Sequence, residues 1–206
     1  GTGDCASTFW NRSGGPIMID WLKGYLETYK AALDHLPLEQ ISGAIETLRV
    51  ALKEDRMIFV FGNGGSAGTA QHFVTDLGKG ASDKLGRRFR CMSLNDNIGW
   101  ITAIGNDYDY ADIFVRQLEN HAKPGDVLFT MSVSGSSPNL VKAFEWGTRN
   151  GMRTIALVGG KGGALAGIAE QVLVVNSAHY GVVEDAHLNI CHLIAYAFME
   201  HPELGK

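Results

Sequence analysis

Cysteine is scarce in this chain of 206 residues: Cys5, Cys91 and Cys191 are the only three. Their odd number and wide spacing exclude a disulfide framework and a zinc knuckle, and they fit a reducing compartment. Long apolar runs are missing too, none approaching the ~20 residues that span a bilayer. The first residues carry neither the charged nor the apolar part of a secretory signal, so the expected location is cytoplasmic. Excess charge of either sign is absent. With 18 basic against 22 acidic residues the formal balance is −4, which argues against broad attraction to nucleic acid or to an acidic membrane. Lys79, Lys84, Arg87, Arg88 and Arg90 cluster locally and read as a solvated loop. There is no solenoid repeat and no low-complexity segment.

What the chain does have is 45% hydrophobic residues and 26 glycines, the composition of a single α/β domain with a sizeable core and tight turns. Residues 1–15, rich in Gly, Ser and Thr, are expected to form a flexible tail, and 16–202 the domain. Apolar residues recur at helical spacing over 17–36 and 38–55, with Pro37 as the boundary. From residue 57 the pattern alternates. Strands are predicted near 57–61, 89–94, 126–131, 153–158 and 171–175, and helices near 65–78, 97–105, 110–121, 138–149 and 163–169. This alternation predicts a five-stranded parallel sheet wrapped by helices, and the unbroken apolar strands fit burial on both faces. The stretch 182–200 is apolar over most of its circumference and predicts a long buried C-terminal helix, covered in part by a second subunit.

Two turns carry the chemistry. Gly62-Asn-Gly-Gly-Ser66 follows a predicted strand and opens a helix, the place where open α/β sheets hold ligands. It lacks the Gly-Lys-Ser/Thr ending of a nucleoside-triphosphate loop. Gly62, Gly64 and Ala67 meet the loose dinucleotide pattern, but Asn95 and Asp96 stand beyond the ~20 residues at which such folds place a ribose-binding acid. The glycines alone would also serve a plain tight turn. The second turn sets four hydroxyls, Ser132, Ser134, Ser136 and Ser137, before Pro138 at a helix start. One serine makes an N-cap; four within one turn point to an anion held by hydroxyls, amides and a helix N-terminus, a mode suited to a phosphate monoester.

Ionisable residues form a third group. His72 and Asp76 have i,i+4 spacing and face the same way, while the last helix carries Glu184, Asp185, His187 and His192 in an apolar segment. Charged groups there need partners, which a metal, a polar substrate or a salt bridge would each supply. Cys191 reads as core.

These motifs, together with Ala70-Gln-His-Phe73, Ile104-Gly-Asn-Asp107, Asp112-Ile-Phe114 and Gly159–Gly163, resemble over about residues 20–200 the sugar isomerase (SIS) domain, and within it the phosphoheptose isomerases. The resemblance implies interconversion of sedoheptulose 7-phosphate and D-glycero-heptose 7-phosphate. It also implies that Ser132, Ser134 and Ser137 grip the phosphate, that Asn63, Gly64, Gly65, Ser66, Asn106, Asp107 and Glu184 line the sugar, and that His72, Asp76, Glu184 and His192 bind zinc. Asp76 and His192 are then the acid/base pair, and the assembly a homotetramer with sites between subunits. Four departures stand out: Asp76 replaces the usual Glu, Glu184 the usual Gln, Val182 a common Arg, and Val133 a hydroxyl. The altered carboxylates leave open a non-catalytic SIS module, either a sugar-phosphate sensor or an adaptor in replication initiation. A dinucleotide-dependent oxidoreductase is the more distant alternative.

Overall fold

The computed structural model describes residues 15–206, with side chains from residue 18. The tail expected at 1–15 falls outside the described residues, apart from Gly15, which opens the first helix.

Two N-terminal helices, α1 (Gly15–Asp34) and α2 (Leu38–Lys53), precede the sheet. Five strands follow: β1 (Met57–Gly62), β2 (Arg90–Ser93), β3 (Val127–Ser132), β4 (Arg153–Gly159) and β5 (Gln171–Val175). All pair in parallel in the order β2-β1-β3-β4-β5. Successive residues of each strand point to opposite layers, and both layers are apolar, which is why the strands read as continuous hydrophobic runs. Ile58, Val60, Phe129, Ile155 and Leu157 pack with Leu48, Phe73, Ile190 and Phe198 on one side. On the other, Phe59, Phe61, Leu128, Ala156 and Val158 meet Phe114, Leu118, Leu140 and Phe144.

The connecting helices are α3 (Gly65–Thr75), α4 (Ser82–Leu85), α5 (Ile98–Asp107), α6 (Val115–His121) and α7 (Pro138–Arg149); α8 (Tyr180–Glu200) closes the chain. Three sequence-based expectations need correction. The helix expected at 163–169 is one 3₁₀ turn, Ala164–Gly167, because Gly162 and Gly163 take positive φ of 67° and 61° and leave too few residues for a helical nucleus. The helix expected at 110–121 is a 3₁₀ turn, Tyr110–Asp112, followed by the shorter α6. The helix expected at 65–78 continues past its end through a π-helical turn, Asp76–Ala81, into α4. The C-terminal helix is buried on one face only. Val183, Ile190, Ile194 and Phe198 are in the core, whereas Tyr180, Leu193 and Tyr196 are exposed. The basic cluster lies at the surface, where Arg88 and Lys79 pair with Asp83 and Arg90 with Asp55. Among the described residues no helix is long and apolar enough to cross a membrane.

The sheet order reverses direction between β1 and β3. That switch point, at the carboxyl ends of the strands, is where open α/β sheets form a ligand crevice, and both the glycine and the serine turn leave the sheet there.

Candidate active site

The glycine turn begins where β1 ends. Asn95 fixes that end by reciprocal bonds to one residue: Gly62 N–H donates to Asn95 Oδ1 at 3.1 Å and Asn95 Nδ2 donates to the Gly62 carbonyl at 2.9 Å. Gly64, the N-cap of α3, adopts φ 55° and ψ −122°, a conformation a β-carbon would strain. The serine turn follows β3. Ser132 Oγ accepts from Gly135 N–H, Ser134 Oγ from Ser136 N–H, and Ser136 Oγ from Ala164 N–H. Ser137, the N-cap residue of α7, makes no side-chain cap bond. Three hydroxyls therefore shape the loop as acceptors, and those of Ser132 and Ser137 lie on residues that line the cavity between the two turns.

The two turns are tied together by an amide pair. Asn63 Nδ2 donates to Asn139 Oδ1 at 3.0 Å, and Asn139 Nδ2 donates back to Asn63 Oδ1 at 2.8 Å. Between them lies a cavity of about 300 Å³ lined by Asn63, Gly64, Gly65, Ser66, Ser132, Ser137, Tyr180 and Glu184, with Met131 and Val133 as apolar wall. Neither Lys nor Arg lines it, so an anion there is met by hydroxyls, amides and helix N-termini. Glu184 reaches across from α8: its Oε1 lies 2.7 Å from where a β-carbon on Gly65 would stand. Only glycine at 65 permits that approach.

α3 and α8 run side by side away from this cavity. Glu184 sits over Gly65, and further along His192 Nε2 lies 3.0 Å from His72 Nε2. Asp76 Oδ2 is 3.2 Å from His72 Nε2 and 3.7 Å from His192 Nε2. That oxygen is shielded from water yet makes no hydrogen bond of normal geometry. Two imidazole nitrogens and one orphaned carboxylate oxygen at these separations fit a divalent metal: bonds of ~2.0–2.1 Å in tetrahedral geometry put neighbouring donors about 3.3 Å apart. His72, Asp76 and His192 would supply three donors to such an ion. The shorter carboxylate of Asp76 thus still reaches both imidazoles.

Not every expected residue joins these groups. Glu184 lines the cavity but stands outside the His72, Asp76, His192 cluster. Ser134 is exposed and does not line the cavity. Asn106 and Asp107 are exposed at the end of α5, bonded to each other at 2.9 Å. Asp185 instead accepts from Tyr25 Oη–H at 3.1 Å. Cys191 is fully buried, and burial raises its thiol pKa well above the ordinary value. Sequence reasoning missed Asn95, Asn139 and Tyr180 as site residues; an asparagine beside each turn was the available signal.

Comparison with known proteins places the chain in a family. Residues 24–159 match the family model described as the SIS domain. The probable phosphoheptose isomerase of Thermoplasma acidophilum is 40% identical over 172 residues, 84% of this chain and 94% of that protein. The phosphoheptose isomerase of Citrifermentans bemidjiense is 40% identical over 174 residues, 84% and 89% of the two chains. The chain belongs to the phosphoheptose isomerase family of SIS-domain enzymes. Among solved structures, a phosphoheptose isomerase from Francisella tularensis superposes with a TM-score of 0.82 at 28% identity, covering 89% of this chain and 98% of that one. The phosphoheptose isomerase of Neisseria gonorrhoeae gives 0.80 at 26% identity, with 90% and 98% covered. For a phosphoheptose isomerase the switch-point cavity and the His72, Asp76, His192 cluster are the two places where chemistry would concentrate.

Proposed function

We propose that this chain is an aldose–ketose isomerase that converts sedoheptulose 7-phosphate to D-glycero-heptose 7-phosphate through a cis-enediol. The observation that carries this reading is the placement of an anion cradle and a proton-moving cluster along one α3–α8 seam. Phosphate is held at the serine turn by the hydroxyls of Ser132 and Ser137, which line the cavity, and by the amides of the turn. Asn63, Gly64, Gly65, Ser66 and Glu184 meet the sugar hydroxyls. From Gly65 to His72 is seven residues of helix, about 10 Å at 1.5 Å per residue. An extended seven-carbon chain spans eight bonds from phosphorus to C1, also about 10 Å at roughly 1.2 Å per bond. A three-carbon sugar phosphate, with four bonds, falls about 5 Å short.

Asp76 and His192 move the proton. In the ketose-to-aldose direction one removes a proton from C1 while the other gives a proton to the C2 oxygen, forming the enediol. Return of a proton to C2 and loss of one from the C1 hydroxyl completes the aldose. His72, Asp76 and His192 would hold zinc through one atom each, and the second oxygen of Asp76 and second ring nitrogen of His192 are then the atoms left to carry a proton. When bound, the metal supplies a Lewis acid that polarises the carbonyl oxygen. Asn106 and Asp107, exposed and away from this chain's own cavity, complete a neighbouring subunit's site in a homotetramer.

The test is incubation with sedoheptulose 7-phosphate in D₂O, with and without added zinc, followed by NMR. Aldose carrying deuterium at C2 is expected. The role assignment is wrong if His192→Gln or Asp76→Asn turns over normally; no aldose from the wild type under any condition overturns the activity itself.

A further inference from the structure

Asp76 opens the only π-helical segment among the described residues, Asp76–Ala81, between α3 and α4. Such a turn is rare and is frequently found at functional sites. Here two glycines within it, Gly78 and Gly80, add conformational cost. The packing explains the glycines. A β-carbon on Gly80 would lie 2.4 Å from Met199 Cε on α8, and one on Gly78 would lie 3.0 Å from Cys91 Sγ on β2. The wide turn is thus seated closely between α8 and the sheet edge, in the span where His192 meets His72 and Asp76.

Its far end is pinned by one buried hydroxyl. The Leu77 carbonyl accepts from the Ser82 amide, the i,i+5 bond of the π turn, and also from Ser82 Oγ at 2.8 Å. The same Oγ accepts from Phe89 N–H at 3.0 Å, joining the turn to the chain that enters β2. Ser82 is 1% exposed and is not one of the three donor residues.

We infer that the π turn, pinned by Ser82, is the positioning device that sets the Asp76 carboxylate against His72 and His192, and that its geometry is fitted to aspartate. A glutamate there would overshoot by about one carbon–carbon bond, ~1.5 Å, although it is the usual residue at this position in the resemblance set out above. The inference rests on the metal-binding part of the proposed function.

The experiment is titration of metal-free protein with Co(II), followed by its visible absorption spectrum, for the wild type, Ser82→Ala, Ser82→Thr and Asp76→Glu, with kcat and KM measured in parallel. We expect Ser82→Ala and Asp76→Glu each to bind Co(II) 10–100-fold more weakly, the usual effect of disturbing the groups that orient metal ligands. Their absorption bands should change, kcat should fall, and KM for the phosphorylated sugar should stay within about twofold. Ser82→Thr, which keeps the hydroxyl, should restore the wild-type spectrum. Wild-type Co(II) affinity and spectrum in Asp76→Glu or in folded Ser82→Ala overturn the inference while leaving the proposed function intact. If Ser82→Ala does not fold, Asp76→Glu alone decides. A wild type that binds no divalent cation overturns the metal reading, and the inference with it.

Discussion

His187 lies one turn beyond Glu184 on α8, 1% exposed, and neither ring nitrogen makes a hydrogen bond of normal geometry. Burial pulls its pKa from 6.5 down to about 4, opposed by the Val158 carbonyl. The unfolded chain therefore binds a proton that the folded one refuses as pH falls from about 6.5 to 4. Stability is retained above pH 6.5, is lost through that window, and levels off below it, by about 3 kcal/mol in all. Urea denaturation at pH 7.5 and 4.5 should show this loss, and His187→Leu should remove most of it. At the proposed catalytic residues, His192→Gln should lower turnover by ~10²–10⁴-fold, the usual contribution of a general acid or base, while a non-reacting sugar phosphate binds as before. Cys91, whose thiol burial raises to about 12, should resist alkylation at pH 7 in the native state, as should Cys191; peptide mapping after brief iodoacetamide treatment checks both. His72 on α3 and Asp76, one residue past its end, were legible as partners because i,i+4 spacing fixes a common face. Asn139 was not, because its partner Asn63 lies on another strand's turn and only the sheet order brings them together.

At the scale of elements, β1, β3, β4 and β5 and their order of appearance were readable because each is a short run rich in aliphatic, β-branched or aromatic residues set between helical stretches. The loop after β4 was not. Its apolar residues, Ala164, Leu165 and Ala166, resemble a helix start, but Leu165 N–H donates to the Gly135 carbonyl, so the segment serves to brace the serine turn. That brace is tight: a β-carbon on Gly135, at φ 61°, would stand 2.0 Å from the Gly162 carbonyl oxygen. Gly135→Ala adds left-handed strain of ~1–2 kcal/mol to a clash with backbone that cannot rotate away. We expect its thermal midpoint to fall by at least about 4 °C and phosphate-competitive ligands to bind more than tenfold more weakly, both measurable by scanning calorimetry with and without ligand. The π turn was equally invisible in sequence, because Leu77 and Ala81 keep apolar spacing compatible with ordinary helix.

For the whole molecule, α1 presents Met18, Ile19, Trp21, Leu22 and Leu26 to solvent, while α8 exposes Leu193 and Tyr196. Apolar residues at i, i+3, i+4 and i+8 on a terminal helix call for a covering surface, which the proposed homotetramer would supply. Light scattering should give four times the 22.3 kDa chain mass; Trp21→Glu should shift the population to smaller species and, if neighbouring subunits complete each site, lower kcat/KM as well. The central claim is that a phosphate cradle in the switch-point cavity and a proton-moving cluster seven residues along α3 from Gly65, about 10 Å of helix, serve one extended substrate. Turnover of a ladder of ketose phosphates with three to seven carbons tests it most directly. The account predicts kcat/KM rising with chain length to a maximum at seven carbons, and a maximum at three or four carbons would contradict it.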